Sequence, residues 1–598
     1  VGVSGSTSTG DLARTATASG VVGTTATGTV AAPAPVALDD VVPAPVSGRP
    51  AAGVTFTLTA DATIQATANA EAMAVGDYLA ELLRPATGYP LPVTAAGPAR
   101  PAGAIALLMA DADDDSIGSA GGAEGYQLDV TADGIVIRAR TAAGLFYGVQ
   151  TLRQLLPATV ESGTVQPGPW IMPGGQIVDH PRFAYRGAML DVSRHFFEVA
   201  DVLRYVDQLA RYKINHLHLH LTDDQGWRIA IDSWPELASV GGATEVDGGA
   251  GGCYSQEQYR EIVAYAAARH ITIVPEIDMP GHTNAALTAY GALSPDAVAP
   301  PPYTGTDVGF SALSVASDLT YDFVDDVLGE VAALTPGPYL HIGGDEAFTL
   351  APPDYATFMH RVQPIVSAKG KRVLGWHQLA ATDGPGDRVI QYWGTATADA
   401  TVAAAVQQGA QVILSPGNRT YLDMKYTDAT PLGKDWAGLV EVRAAYDWDP
   451  GSYLEDVPAA AVLGVEAPLW TETVGAMSEV EFMTFPRLPA VAELGWSPAS
   501  THDWEAFRRR LAGQGPRWTL AGITFYRSPQ VPWAQLPAGT AAPAEVSVPA
   551  EAPAPADVPV PADVPAGSPT RVIGPVETGR QPAATGSSGD DDVPFALS

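Results

Sequence analysis

From about residue 180 to 535 the sequence alternates short, continuously apolar segments with amphipathic stretches of helical period, and this rhythm constrains the fold more than any other feature. A strand buried on both faces reads as an unbroken apolar run, and parallel strands need a crossover between them, usually a helix. Eight such strand segments occur: GAMLDVS, INHLHLHL, ITIVPEID, YLHIGGDE, RVLGWHQ, RVIQYWG, QVILSPG and GVEAPLWTE. Eight parallel strands with intervening helices predict an α/β fold, a (β/α)8 TIM barrel with long loops. Most of the segments end in or beside Asp, Glu, His, Arg, Trp or Tyr. In a barrel those ends converge on one face, where the loops build the active site.

The chain of 598 residues is too long for one core, and the region ahead of the barrel has a different pattern. Residues 41–179 read as strand, helix, strands, helix. GVTFTLT alternates apolar and polar residues, and Val75, Leu79, Leu82 and Leu83 form a helical stripe expected to end at Pro85. AIALLM, YQLDV and GIVIRAR follow as strands, with Asp133 and Gly134 as the turn between the last two. Residues 141–156 give a second helix with Leu145, Phe146, Val149, Leu152 and Leu156 on one face. This predicts a small α+β domain without clustered titratable groups.

Residues 1–40, rich in Thr, Ser, Gly and Ala, read as a low-complexity linker, and residues 536–598, Pro/Ala-rich with ADVP repeated, as a disordered tail. The barrel is thus expected at 180–535. All 12 Trp fall between Trp170 and Trp533, and all 11 His between His180 and His502, so the chemistry is concentrated there.

Composition removes several function classes. Acidic residues outnumber basic ones by 66 to 33, and a net charge of -33 repels a phosphate backbone, so nucleic acid is not an expected partner. No apolar run approaches the roughly 20 residues of a membrane helix, so no membrane partner is expected either. The one cysteine, Cys253, admits neither an intramolecular disulfide nor a multi-cysteine metal site, and it reads as a lone semi-buried thiol. The chain opens without a basic and apolar leader, but a low-complexity start often follows a removed export signal, so a secreted, extracellular location is expected.

Three constellations carry chemistry. In YLHIGGDEAF, Asp345 and Glu346 are adjacent at a strand end behind two glycines that allow close approach of backbone or ligand. In HLHLHLTDDQGWR, His216, His218 and His220 share one strand face, followed by Asp223 and Asp224. Alternating His beside Asp suits zinc, or else the imidazoles hydrogen-bond within the barrel and position their neighbours. VPEIDMPGHT places Glu276, Asp278 and His282 at another strand end, where a His can orient a carboxylic acid or serve as a structural donor. Trp376, Trp393, Tyr421 and Trp470 lie at or past strand ends. With Arg194, Asp423 and Glu472 they suit a sugar, ring faces meeting its apolar side and polar groups its hydroxyls.

DVSRHFF, HLHLHLTDDQGWR, PEIDMPGHTNAAL, HIGGDEA, GWHQ, QYWG and GVEAPLWTE together resemble glycoside hydrolase family 20, the β-N-acetylhexosaminidases, most closely its secreted actinobacterial members. The resemblance spans residues 41–535. It implies a retaining exo-hydrolase for N-acetylhexosamine-containing oligosaccharides, without cofactor or metal, in which the substrate's 2-acetamido oxygen attacks the anomeric carbon to form an oxazolinium ion. Carried over by motif, Glu346 resembles the general acid and base, with a pKa expected to be raised by burial. Asp345 would accept the acetamido N–H and stabilise the developing charge, and Tyr421 would donate to the acetamido oxygen. Trp376, Trp393 and Trp470 would wall the acetamido pocket, and Arg194, Glu472 and Asp423 would bind the far hydroxyls. Trp436 would stack on the next sugar, and Asp223 and His282 would form a relay behind Glu346. Two rival readings are a metal-dependent barrel hydrolase using the histidine strand, and a non-catalytic module that binds chitin-like sugars.

Overall fold

The structure is a computed structural model that describes residues 36–97, 102–110 and 122–536. The two ends expected to be unstructured lie outside the described residues, except 36–40 and 536. Leu38, inside the expected linker, is 2% exposed, so the N-terminal boundary of folded chain falls earlier than composition suggested.

The front domain contains β1 (Ser47–Leu58), β2 (Ile64–Ala66), β3 (Val93–Ala95), β4 (Ala104–Met109), β5 (Tyr126–Val130), β6 (Gly134–Ala139) and β7 (Trp170–Asp179). They form one mixed sheet in the order β1-β7-β5-β6-β4-β2-β3, with helices α1 (Ala70–Thr87) and α2 (Ala142–Leu155) packed against it. Asn69 starts α1 by accepting from Ala72 N at 2.8 Å. The helix does not end at Pro85. Proline removes only one N–H, its side chain faces solvent in the last turn, and the helix runs on to Gly88, whose left-handed φ of 69° closes it. Strand β7 carries Pro173-Gly174-Gly175, which reads as a turn in sequence. Its antiparallel pairing to β1 and β5 holds it extended, with a register shift opposite Pro50 and Thr55.

The barrel consists of β8 (Tyr185–Asp191), β9 (His216–His220), β10 (Thr272–Glu276), β11 (Tyr339–His341), β12 (Arg372–Trp376), β13 (Val389–Tyr392), β14 (Gln411–Leu414) and β15 (Val462–Leu469), closed by β15 pairing with β8. Each lies within one of the eight segments marked by their apolar runs, apart from the first residues of β8 and β15. Every neighbouring pair is parallel. On β9, Leu217 and Leu219 join the main core while His216, His218 and His220 face the barrel interior, where the His216 ring stacks on Tyr185 at 4.0 Å. Tyr185, Val274, Tyr339, Leu374, Val389 and Ile413 make a small apolar plug at the N-terminal end of the strands. Polar groups fill the interior above it.

The front domain does hold clustered titratable groups, against expectation, and they lie at its junction with the barrel. Asp179 accepts from Tyr126 Oη at 2.7 Å, Lys213 Nζ at 2.9 Å and Trp496 Nε1 at 2.9 Å. Glu161 pairs with Arg153, with Arg211 at 2.8 Å and with Arg517 at 3.4 Å. Local sequence hides these clusters because Lys213, Trp496, Arg211 and Arg517 join them from the barrel, across the junction. No helix among the described residues is long and apolar enough to cross a membrane.

Candidate active site

Beyond β11 the chain turns through Gly343 and Gly344, with φ of 62° and 102°, into Asp345 and Glu346. The glycines are required by contact as well as by φ: a Cβ at Gly343 would fall 1.6 Å from Asp278 Oδ1, and Gly344 N donates to that oxygen at 3.1 Å. The acid-bearing loop is therefore clamped to the end of β10. Asp345 is buried, and burial raises its carboxyl pKa to about 6, with the Glu346 and Glu276 charges adding and His282 opposing. Glu346 keeps 24% of its side chain exposed, so the burial expected for it is incomplete. Its φ of 44° is strained for a residue with a Cβ, and His282, at φ 56°, is strained in the same sense.

His282 stands between the acids and the barrel interior. Its Nε2 lies 3.4 Å from Glu346 Oε2 and 3.7 Å from Asp345 Oδ2, and its Nδ1 is 3.2 Å from Asp223 Oδ1. Burial disfavours its charged form, but the Asp223 and Asp345 carboxylates outweigh this and hold its pKa well above the usual range. Asp223 also meets Arg194 Nη2 at 2.7 Å and His220 Nε2 at 2.9 Å. Arg194 is committed further to Asp191 at 3.2 Å and sits 4.8 Å from the Trp470 ring centroid. Its Nε has no protein partner.

Below Asp223 runs a column of alternating carboxylates and imidazoles. His220 Nδ1 meets Glu276, His218 Nε2 meets Glu276 at 3.0 Å, and His218 Nδ1 meets Glu466 at 2.9 Å. Tyr185 and Gln391 donate to Glu466 at 2.6 and 2.7 Å. Despite burial, the flanking Glu466 and Glu276 raise the His218 pKa to about 9, and His220 is raised well above its ordinary value by Glu276 and Asp223. Both ring nitrogens of His218 and His220 thus lie at hydrogen-bond distance from carboxylates. The reading in which the imidazoles hydrogen-bond within the barrel describes this geometry.

The aromatic residues form a connected box. Trp376 donates its Nε1 to Glu276 at 2.8 Å and lies 5.7 Å from Trp470, ring centroid to centroid. Trp470 is 6.4 Å from Tyr421, Tyr421 is 5.6 Å from Trp436, and Trp436 is 5.7 Å from Trp393. Gln378 holds Trp393 through its Nε1 at 3.1 Å. Trp376 is fully buried, whereas Trp436 is 42% exposed at the outer end. Asp423, buried with Oδ1 unpartnered, has its pKa pushed up by burial and by the nearby Glu472. Glu472 also acts electrostatically on Arg194. Cys253 lies apart, half-buried, its thiol pushed up to about 12 by burial.

Asp278 and Glu276 were marked in sequence without a role. Asp278 holds the acid loop through Gly344, and burial together with the Asp345 charge keeps its carboxyl pKa well above the usual range. Glu276 joins the Trp376 wall to the histidine column. The signal for both was EID at a strand end, where alternate residues share a face.

Comparison with known proteins agrees with this geometry. The model of glycosyl hydrolase family 20, catalytic domain, matches residues 183–353 and 349–499, and that of the family's domain 2 matches residues 39–180. A Cellulomonas fimi β-N-acetylhexosaminidase is 43% identical over 493 residues, covering 82% of this chain and 97% of its own length. The solved GH20 β-N-acetylhexosaminidase of Streptomyces coelicolor A3(2) superposes with a TM-score of 0.81 at 60% identity, covering 84% of this chain and 100% of that one. A mutant Streptomyces plicatus β-hexosaminidase in complex with product (GlcNAc) is similar to the same degree, with 60% identity, a TM-score of 0.81, and coverage of 84% and 99%. With two family models spanning the front domain and the barrel, the chain belongs to glycosyl hydrolase family 20.

Proposed function

We propose that the protein is a retaining exo-β-N-acetylhexosaminidase that removes terminal N-acetylhexosamine residues, N-acetylglucosamine or N-acetylgalactosamine, from oligosaccharides by substrate-assisted catalysis. One observation carries the reading: two adjacent acids lie 3.7 and 3.4 Å from the same His282 Nε2 and act electrostatically on Tyr421 of the aromatic box. Neighbouring residues on one loop do not easily flank a sugar ring from opposite sides, as a two-carboxylate mechanism requires. The substrate's amide supplies the missing nucleophile.

In this mechanism the acetamido oxygen attacks the anomeric carbon as the glycosidic C–O bond breaks, and Glu346 gives its proton to the departing oxygen. Asp345 accepts the acetamido N–H and faces the positive charge of the oxazolinium ion. Tyr421 donates to the acetamido oxygen. Trp376, Trp393 and Trp470 hold the amide in near-attack geometry, where correct placement alone is worth about 7 to 11 kcal/mol. Glu346, now a base, then takes a proton from water, which opens the ring and restores the original configuration. Asp223 and His282 hold Glu346 from behind, and a seated sugar would complete the burial that Glu346 lacks. Arg194, Asp423 and Glu472 suit the far hydroxyls of a terminal sugar, and Trp436 the sugar beyond the cleaved bond. An extracellular location is proposed with this activity, on the low-complexity N-terminal composition.

The test is turnover of N-acetyl-β-glucosaminides with leaving groups of graded acidity. Glu346→Gln and Asp345→Asn are each expected to lower kcat by at least about a hundredfold. Only Glu346→Gln should recover with excellent leaving groups, which need no proton. Equal recovery of both, or an inverted product anomer, would refute the mechanism.

A further inference from the structure

Among the described residues nine large apolar side chains are exposed, and only three of them are aromatic: Phe310, Phe348 and Trp436. All three stand on loops that leave the C-terminal ends of barrel strands, after β10, β11 and β14. Trp436 already has a place in the reading above, but Phe348, 63% exposed, and Phe310, 42% exposed, have none. Exposed aromatic faces gathered beside a site mark a surface that binds something.

Both rings are held in place. Phe348 follows Glu346 by two residues, and its N–H donates to the Glu346 carbonyl at 2.7 Å. Gly309, at φ 76°, packs under it: a Cβ there would come 2.2 Å from the Phe348 ring and 3.0 Å from the Glu346 carbonyl oxygen. Phe310 lies 4.5 Å from the ring of Tyr303, whose hydroxyl accepts from Asp307 N at 2.7 Å. The loop is tied to the barrel by Gln225 Nε2 to Gly305 O at 2.9 Å and by Asp247 N to Thr304 O at 2.9 Å. Fixed rings with open faces are pre-organised to stack, because little side-chain freedom is lost on binding.

The occupant follows from position. Glu346 protonates the oxygen that leaves, so the departing part of the substrate extends outward past Glu346 and its neighbour Phe348. Strands β11 and β14 are three places apart around the barrel, so Phe348 and Trp436 rise on different sides of the mouth. We propose that Phe348, supported by Phe310, is a second aromatic platform on the leaving-group side, which stacks a sugar of the departing β-linked N-acetylhexosamine oligosaccharide and makes the enzyme favour longer substrates. This rests on the exo-hexosaminidase reading.

The experiment compares kcat/KM for triacetylchitotriose with kcat/KM for methyl N-acetyl-β-glucosaminide, whose leaving group has no ring to stack. Phe348→Ala and Phe310→Ala are each expected to lower the ratio about tenfold, equivalent to about 1.4 kcal/mol. Phe348→Tyr, which keeps the ring, should preserve it. An unchanged ratio, or an equal fall on both substrates as a merely structural loop residue would give, overturns the proposal. The ratio of dissociation constants for triacetylchitotriose and N-acetylglucosamine, measured in the Glu346→Gln background, reports the platform without turnover. Wild-type protein that hydrolyses neither glycoside would refute the reading of function, while the binding ratio would still decide the platform.

Discussion

Asp345→Asn is expected to make the protein relatively more stable with rising pH, while inactivating it. Burial moves the Asp345 pKa from 3.8 to about 6, so the folded state holds this proton where the unfolded chain releases it. Between those values the folded state binds more protons, and stability falls as pH rises. At about 1.4 kcal/mol per pH unit, the ionised side chain costs about 3 kcal/mol above pH 6. Asparagine cannot ionise. Loss of the Asp345 charge also relieves Asp278, whose carboxyl that charge pushes up, and this adds with the same sign. His282, held well above its usual range by Asp223 and Asp345, stays charged across the window and contributes no slope. Urea titrations of both proteins at pH 4, 5, 6 and 7.5 give the difference directly. The variant's advantage should grow by about 2.4 kcal/mol from pH 4 to 7.5. A constant difference, or one that shrinks with pH, would show that Asp345 is not destabilised as a carboxylate.

The same electrostatics give three further expectations. The acid limb of kcat/KM should fall below pH about 6 as Asp345 protonates, and His282→Ala, by removing the opposing positive charge, should move that limb to higher pH; a downward move would contradict the assignment. Glu276→Gln leaves His218 and His220 with one charged partner each, and should lose about 3 to 5 kcal/mol in denaturant titration; an unchanged midpoint would mean that the column carries little charge. Glu161→Ala strands three arginines at the domain junction and should cost a similar amount, about 3 to 5 kcal/mol, near neutral pH. Because its neighbours hold the Glu161 carboxyl far below its ordinary 4.5, its contribution is complete above that value and lost as pH falls further, so wild type and variant should converge in acid.

The barrel was legible because parallel strands buried on both faces leave unbroken apolar runs, and because their ends must meet once the sheet closes. That geometry makes Asp345, His282, Asp223 and the tryptophans visible as strand-end residues. Strand β7 was not legible, since Pro173-Gly174-Gly175 reads as a turn and only pairing on both edges straightens it. Pro85 was read as a stop, although a proline in the last exposed turn removes only one donor. Long-range partners leave no local trace. Glu466 meets His218 across 248 residues, and Trp376 meets Glu276 across 100, so neither pair has a sequence spacing to recognise. The exposure of Glu346 likewise depends on how the loop sits, which residue type cannot report.

The charge pattern explains why Asp345 is raised although a cationic imidazole stands nearby. His282 lies closer to Asp223, at 3.2 Å, than to Asp345, at 3.7 Å, so much of its charge is already balanced from below. Asp223 in turn is held far below its ordinary pKa, despite burial, by Arg194 and His282. Asp345 is left buried with Glu346 and Glu276 near enough to repel its ionised form. A buried carboxylate without a full counter-charge is costly to the folded protein, but it is suited to a reaction that generates a cation at the same place. In the proposed mechanism the oxazolinium ion supplies that counter-charge, so the interaction is stronger in the transition state than with the neutral amide, which is the condition for accelerating the chemical step.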